Sequence, residues 1–586
     1  MTDASFLGVA QSVTGRRWVG PAASVERGGL AIAQATGLPE IVGRILASAG
    51  VTGEEAETYL TPRLRDLMPD PSTLADMDAA AQRLVAAIAR RQRIAVFGDY
   101  DVDGACSVAL LATWCRMQGA AITPYIPDRI DEGYGPNVPA MEDLARSHDL
   151  IICVDCGTLS HEPIAAARAT GAEVAVIDHH LPGPDLPDAL VVNPNRADDG
   201  SGLGHVCAAG VVFLLLVAAN RLLRAEGRDG PDLMAMLDLV ALATVADVAP
   251  MLGLNRAFVR QGLSVLARRQ RPGLVALADV AGLTAPPTSR DLGFALGPRI
   301  NAGGRIGASG LGADLLSTED PHQAAALAER LDTLNRERRE IESAVTEAAI
   351  DQIEARGEPG PLVWAAGPGW HPGVVGIVAS RLKDRFNRPA LCIGLNDETG
   401  QGSGRSVQGI DLGSAVAALA RNGVLIKGGG HRMAAGLTVE PARVEEAMAA
   451  LSDRISAQGI EATGPADLPL IGAMAPGGAT LDLLENLEQA GPYGPSNPAP
   501  KVAISHAIPT GVRIVGTGHA QVRLTAGGAP PLGAIAFRAA DNGIADALTA
   551  AASARQPVHA AGQLTLDDWG GRRRVKLQID DVAIPS

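Results

Sequence analysis

A chain of 586 residues, 47% of them apolar, has room for roughly three to five domains with sizeable cores. Its 50 basic residues are outweighed by 65 acidic ones, for a net charge of −15. That balance argues against a protein that coats nucleic acid unspecifically, because such binding comes from neutralising phosphates. It leaves room for an enzyme in which metal ions and locally clustered arginines hold the phosphates. No run of eighteen apolar residues occurs, so no membrane span is expected, and the N-terminus lacks the apolar stretch of a signal peptide. The six cysteines (106, 115, 153, 156, 207 and 392) form no spaced framework, which fits a reducing cytoplasm. Only four basic residues are lysines (Lys383, Lys427, Lys501 and Lys576), none in a phosphate-loop context, so an ordinary P-loop ATPase is excluded.

Residues 38 to 92 read as short helices, in LPEIVGRILASAG, GEEAETYLTPRL and DMDAAAQRLVAAIARR. Short apolar runs then alternate with helical sequence: IAVF (94–97), LIICV (150–154) and VAVI (174–177). Each is bounded by Gly or Asp, which predicts parallel strands with crossover helices. From about 320 a long periodic segment begins, with Asp320 as N-cap and Pro321 in the first turn. Leu327, Leu331, Leu334, Ile341 and Val345 line one face of it, and its place before RGEPGP suggests a strut between domains. A second, smaller α/β block runs from Pro361 to about Gly459. After a Gly/Pro-rich stretch the tail becomes strand-like (KVAISHAI, GVRIVG, AQVRLTA, LGAIAF, PVHAAGQLTL, RRRVKLQIDDVAI), which predicts a small barrel. The divisions expected are a helical region to 80, an α/β domain over 81–318, a connecting helix over 319–357, the smaller domain over 358–460, and a linker with barrel over 461–586.

Three of the α/β strands run into acidic motifs. IAVF leads to GDYDVDG with Asp99, Asp101 and Asp103; LIICV leads to DCG with Asp155; VAVI leads to DHH with Asp178, His179 and His180. In open parallel sheets ligands bind beyond the carboxyl ends of the strands, so these groups should converge there. Carboxylates at such density repel one another unless cations neutralise them, and mixed Asp/His ligation suits Mn²⁺ or Mg²⁺. DYDVDG also fits the opening of a calcium loop, but Leu110 stands at the twelfth position where a Glu is required. Cys153 and Cys156 have C-x-x-C spacing, yet Cys153 lies inside an apolar strand and reads as a buried thiol.

GDYDVDG, VDCG, DHH and ALATVADVAP with Asp247 together resemble the four motifs of the DHH phosphoesterase superfamily, and GGGHRMAAG (428–436) resembles the glycine-rich motif of the associated DHHA1 domain. IPDRIDEGYG, GPRINAGGRI, GWHPGVVGIVASRL and GSGRS are further similar to the RecJ family of single-strand-specific 5′→3′ exonucleases. The resemblance implies a DHH domain with a parallel sheet, a connecting helix, a DHHA1 domain and a C-terminal OB-fold. It implies two divalent cations, Mn²⁺ or Mg²⁺, on Asp101, Asp103, Asp155, His179 and Asp247, with Asp155 bridging and Asp99 as an additional ligand or a group that supports the ligands from behind. His180 would contact the scissile phosphate and Asp178 would orient the imidazoles. Arg129, Arg305, Ser403 and Arg405 would hold a terminal 5′-phosphate, by fork-shaped and hydroxyl hydrogen bonds. Arg299, Asn301, His371, Gly429, Gly430 and His431 are further candidates along the strand path. Trp569, Phe537 and Arg572–Lys576 would serve the barrel as a stacking, cationic surface for single strands. The substrate implied is single-stranded DNA with a 5′ end, cut to mononucleotides by a monomer in DNA repair and recombination. Single-strand-binding protein and a RecQ-type helicase are the implied partners. The alternatives are a DHH phosphodiesterase for short oligoribonucleotides or cyclic dinucleotides, and an inactive scaffold relative, against which the full set of motif ligands speaks.

Overall fold

The computed structural model describes residues 5–129, 131–357, 359–459, 466–567 and 573–585. At its centre is a five-stranded, all-parallel sheet of β1 (Ile94–Gly98), β2 (Ile122–Tyr125), β3 (Leu150–Val154), β4 (Glu173–Ile177) and β5 (Leu190–Val192), in the order β2-β1-β3-β4-β5. β1 and β3 are buried along their whole length, as expected of parallel strands covered on both faces. Side chains alternate between the two covers. Val96, Val154 and Ile177 face one core with α1 (Val102–Met117) and α2 (Ala208–Ala225). Phe97, Ile151 and Val176 face another with Met141, Leu144 and Ile164. The helix Met77–Ala89 buries Met77, Leu84 and Val85 in the α1/α2 core, so this helix belongs physically to the sheet domain. By length and composition α2 alone among the described helices could cross a bilayer, but 72% of it is buried inside that core. The helices α3 (Leu237–Ala246) and α4 (Gly297–Ile306) complete this layer near the strand ends.

The periodic segment is a single 35-residue helix, α5 (Pro321–Ala355), capped by Asp320, whose side chain accepts from the His322 amide at 2.8 Å. Its inner face differs from the apolar stripe read from the sequence. Leu331, Leu334 and Val345 are buried and Leu327 and Ile341 only partly, while Asn335, Arg338 and Glu342 are buried among them. The second domain has strands β6 (Val363–Pro368), β7 (Ala390–Leu395), β8 (Gly400–Arg405), β9 (Lys427–His431) and β10 (Ala434–Val439), ordered β9-β10-β8-β7-β6. One face packs on α5 and α6 (Pro372–Phe386), the other on the helices Leu412–Arg421 and Val444–Ser456.

The tail forms β11 (Gly472–Met474), β12 (Val502–Val515), β13 (His519–Thr525), β14 (Leu532–Ala536), β15 (Val558–Asp567) and β16 (Arg574–Ala583). The order β11-β12-β13-β14-β16-β15, with β15 returning to β12, closes a five-stranded barrel. KVAISHAI and GVRIVG are one strand, not two: a bulge between Thr510 and Arg513 absorbs the Pro-Thr-Gly interruption. A helix, Ile544–Ala554, which the sequence reading did not anticipate, plugs the barrel with Ile544, Leu548 and Ala551.

Two features tie the domains together. Trp18 is fully buried against the barrel and its indole donates to Asp581 Oδ2 at 2.9 Å. Arg256, 2% exposed, donates to the carbonyls of Tyr59 (3.0 Å), Ala490 (3.1 Å) and Gly491 (2.9 Å) and stacks on the Tyr59 ring at 3.7 Å. It thereby clamps the parallel-sheet domain, the N-terminal helices and the segment leading to the barrel.

Candidate active site

The acidic motifs meet beyond the carboxyl ends of β1, β3 and β4. Asp101 is the N-cap of α1, its carboxylate accepting from the amides of Asp103 (2.8 Å) and Gly104 (3.2 Å). Asp103 is buried and accepts from the Ala208 and Ala209 amides, at 2.7 and 2.8 Å, at the start of α2. Asp155 follows β3 in the left-handed region (φ 59°), an uncommon backbone for a non-glycine residue, and is 2% exposed. Asp247 caps the far end of α3. His179 Nε2 lies 3.4 Å from Asp155, 3.8 Å from Asp103 and 3.9 Å from Asp247.

Three overlapping groupings could each hold a cation: Asp99, Asp101 and Asp155; Asp103, His179 and Asp247; Asp155, His179 and His180. Within each, the ligand atoms lie inside 4.8 Å of one another, and Asp155 is common to two. Burial, then the neighbouring Asp101 charge, pushes Asp99 up to about 8; burial, then Asp103, does the same to Asp247. Asp103 and Asp155 are raised too, first by burial. Asp99 Oδ1 is buried without a hydrogen-bond partner. Acids that are costly to ionise, with an orphaned oxygen among them, form a donor set that fits divalent cations.

Asp178 behaves differently. Burial opposes its ionisation, but the His180 hydrogen bond and charge and the Thr158 hydroxyl outweigh it and hold the carboxyl well below its usual range. It accepts from Thr158 Oγ1 (2.6 Å), the His179 amide (2.8 Å) and His180 Nδ1 (2.7 Å). Burial works against the His180 cation, yet the Asp178 hydrogen bond lifts its pKa to about 9.

Sequence reasoning passed over the residues behind this pair. Asn193, fully buried after β5, donates to Thr158 Oγ1 (2.9 Å) and to the His180 carbonyl (2.8 Å), and Asn195 donates to the His179 carbonyl. The Tyr134 hydroxyl lies 3.3 Å from the Asp155 carbonyl and from the His180 ring nitrogens. For the two asparagines the sequence signal was polar residues just past an apolar strand (VVNPN), while Tyr134 lies within the IPDRIDEGYG motif.

A second, cationic cluster adjoins the first where the two α/β domains meet. Arg129 sits 4.9 Å above the Tyr100 ring. Arg305, at the end of α4, donates to the Gly373 carbonyl at 2.9 Å, at the start of α6. Arg405 donates to Ser403 Oγ at 3.1 Å, and both face Gly376 of α6, where an added Cβ would lie 3.1 Å from Ser403 Oγ. Among the described residues no carboxylate lies within ion-pair distance of Arg129, Arg305 or Arg405. Burial first, then Arg129, lowers Arg305 to about 10, and the same causes lower Arg405 and His371. These groups therefore share one field.

Other candidates do different things. Asn301 Oδ1 accepts from the Val102 amide at 3.1 Å and braces the first acidic motif. Arg299 is engaged with Asp332 (2.9 Å) and the Ala295 carbonyl (2.7 Å). His371 caps α6 through Nδ1, which accepts from the Gly373 amide. GSGR is not a loop of free amides: β8 pairs on both edges, so it offers side chains, and Ser403 and Arg405 share one face. Gly429, Gly430 and His431 lie in edge strand β9, and among the described residues no side-chain hydrogen bond or ion pair joins them to the acidic cluster. Cys153 and Cys156 are free and buried, and burial lifts Cys153 to about 12. On the barrel, Arg513, Arg523, Arg573, Arg574 and Lys576 line a groove of about 730 Å³. Phe537 is half exposed against His519, and Trp569 and Arg572 lie outside the described residues.

Residues 93–244 match the DHH family, N-terminal domain, residues 360–457 the DHHA1 domain, and residues 472–581 the RecJ OB domain. The chain is 37% identical to the single-stranded-DNA-specific exonuclease RecJ of Dickeya dadantii over 567 residues, 93% of this chain and 96% of that one. The chain belongs to the RecJ family. The Escherichia coli RecJ is 35% identical over 93% of this chain and 96% of its own. Among solved structures, RecJ from Thermus thermophilus in complex with Mn²⁺ superposes with a TM-score of 0.78 at 28% identity, covering 96% of this chain and 78% of that one. An exonuclease RecJ bound to manganese matches with a TM-score of 0.58 at 34% identity, over 67% of this chain and 98% of that one. The three-domain RecJ architecture and the cation-binding character expected from the motifs both stand.

Proposed function

We infer that this RecJ-family enzyme, a metal-dependent exonuclease specific for single-stranded DNA, degrades strands from the 5′ end to 5′-mononucleotides. The observation that carries this reading is the adjacency of two unlike clusters: an over-acidic pocket, and an arginine junction where, among the described residues, no carboxylate pairs with Arg129, Arg305 or Arg405. A reacting phosphodiester and a terminal phosphate one nucleotide away need such a pair of sites.

Asp99, Asp101, Asp103, Asp155, His179 and Asp247 would hold the cations, with Asp155 shared between them. When bound, divalent cations generate a water nucleophile near neutral pH and offset charge on the attacked phosphate. The chain's own groups do the rest. Asp178 fixes His180 through Nδ1, so that the protonated ring can donate a hydrogen bond to the scissile phosphate. Arg129, Arg305, Ser403 and Arg405 grip the terminal phosphate, and Asn301 keeps the first acidic loop in place. The barrel groove carries the strand beyond the cut. The five divisions expected from the sequence, a cytoplasmic location, a monomeric state, and supply of unwound ends by a helicase and single-strand-binding protein belong to the same reading. So does a role in DNA repair and recombination.

The test is digestion of single strands labelled at either end, with Mn²⁺ or Mg²⁺, beside duplex and RNA controls. Release of labelled mononucleotide from the 5′ end first is expected, with loss of at least about a thousandfold in Asp155→Ala. Equal release from both ends, or a folded Asp155→Ala with full activity, overturns it.

A further inference from the structure

α6 touches the cationic junction at its first turns: Arg305 donates to the Gly373 carbonyl, and Gly376 abuts Ser403 and Arg405. Five residues further along the same helix, about 7.5 Å away, stands Arg381. Its Nε donates to Glu342 Oε1 on α5. Glu342 is 4% exposed and its other oxygen accepts from Arg338 Nη1 at 2.8 Å, while Arg338 Nη2 donates to Asn335 Oδ1 at 3.0 Å. Arg338 is itself 8% exposed, its Nε is buried without a partner, and its charge reaches Arg305. One carboxylate thus serves two guanidiniums, one facing the junction and one on the helix that lines it.

We propose that Arg338 and Glu342 of the connecting helix are positioning residues that brace α6 through Arg381, so that recognition of a terminal phosphate depends on this relay. The inference rests on the reading of the junction as the 5′-phosphate site. A plain structural ion pair would hold the domains together without regard to the substrate's end. The relay does more, because α6 is the surface against which Arg305 and Arg405 are set. A slack α6 misplaces both forks by fractions of an ångström, and fork geometry is what a phosphate reads.

The measurement is kcat/KM of the full chain with Mn²⁺ on 5′-phosphorylated and 5′-hydroxyl single strands. Arg381→Gln is the first variant, since that side chain is 56% exposed and tolerates change. Glu342→Gln is the second. In each, the preference for the phosphorylated end falls about tenfold, carried by KM for that substrate, while the 5′-hydroxyl strand changes by less than about twofold. Arg381→Lys, which keeps the charge, recovers most of the preference. An unchanged preference, or equal losses on both substrates, overturns the proposal. Arg405→Ala separates the failures: if it collapses the preference while Arg381→Gln does not, only the brace falls. If Arg405→Ala also leaves the preference intact, the phosphate site itself falls.

Discussion

Truncating Arg256 to alanine should loosen the barrel from the rest of the enzyme. Its guanidinium makes three hydrogen bonds of 2.9–3.1 Å to carbonyls of residues 59, 490 and 491, and stacks on Tyr59. Hydrogen bonds to a charged group contribute about 1.5–3 kcal/mol each, and a desolvated cation–π contact about 2 kcal/mol. The gross sum, about 6–11 kcal/mol, is offset by the cost of burying the cation, visible in its depressed pKa, of which burial is the first cause. Truncation also takes a donor from three carbonyls, of which Ala490 keeps a longer bond from Asn497 Nδ2, so the net loss should be about 3–5 kcal/mol. That is a large part of the roughly 5–15 kcal/mol typical of a folded unit. In urea, hydrogen exchange of β12–β16 should therefore rise before that of β1–β5, where the wild type opens them together. Degradation of long strands should suffer more than that of trinucleotides, which need only the acidic pocket and the arginine junction. Arg256→Lys should fall between, since an ammonium keeps the charge but lacks the planar guanidinium that stacks on the Tyr59 ring while donating to the carbonyls. A change below about 1 kcal/mol, with barrel and sheet still unfolding as one, would refute the clamp.

Two further outcomes follow from the acidic pocket. Asp99 and Asp247 have folded-state pKa values raised from 3.8 to about 8, so the metal-free protein binds more protons than the unfolded chain between those limits. Its stability should drop as pH rises from about 4 to about 8, and Mn²⁺ should abolish that slope by taking the ionised form. Melting temperatures over about pH 5–9 with chelator or Mn²⁺ check this, and parallel curves would contradict it. Asn301→Ala removes the acceptor of the Val102 amide at one end of the first motif. It should lower kcat about tenfold with under about 1 kcal/mol lost in stability, and a pure KM effect would instead mark Asn301 as a substrate contact.

Three strands of the parallel sheet and its acidic rim were legible because β1, β3 and β4 are short apolar runs that lead into Asp, whereas β2 (ITPY) and β5 (LVV, followed by Asn193) lack that signal and were not anticipated. The period of the run and the chemistry of its end are both written locally. What was not legible depended on partners distant in sequence. Asn193 and Thr158 look like loop residues until β5 is laid beside β4. Arg338 and Glu342 interrupt the apolar face of α5 and read as solvated, because the sequence does not reveal that α6 covers them. The helix Ile544–Ala554 was passed over although its alanine-rich sequence, with Ile544, Leu548 and Ala551 on one face, favours a helix; the strand runs on either side drew the whole tail into a β reading. The split of β12 into two strands came from reading Pro509 and Gly511 as a stop, where the barrel tolerates them through a bulge. Asp247 was the instructive intermediate case: buried-helix sequence surrounds it, and only the family pattern marked it in advance.

Trp18 and Asp581, partners across the barrel, are separated by 563 positions. At some 5–20 residues per second, a ribosome needs roughly half a minute to two minutes to deliver the second after the first. Through that interval the seat of the indole is incomplete, with Leu468 and Leu470 arriving before Asp581, and the parallel-sheet domain has time to form before the barrel closes. Strand β16 thus completes a site for Trp18 that the 468–470 segment begins.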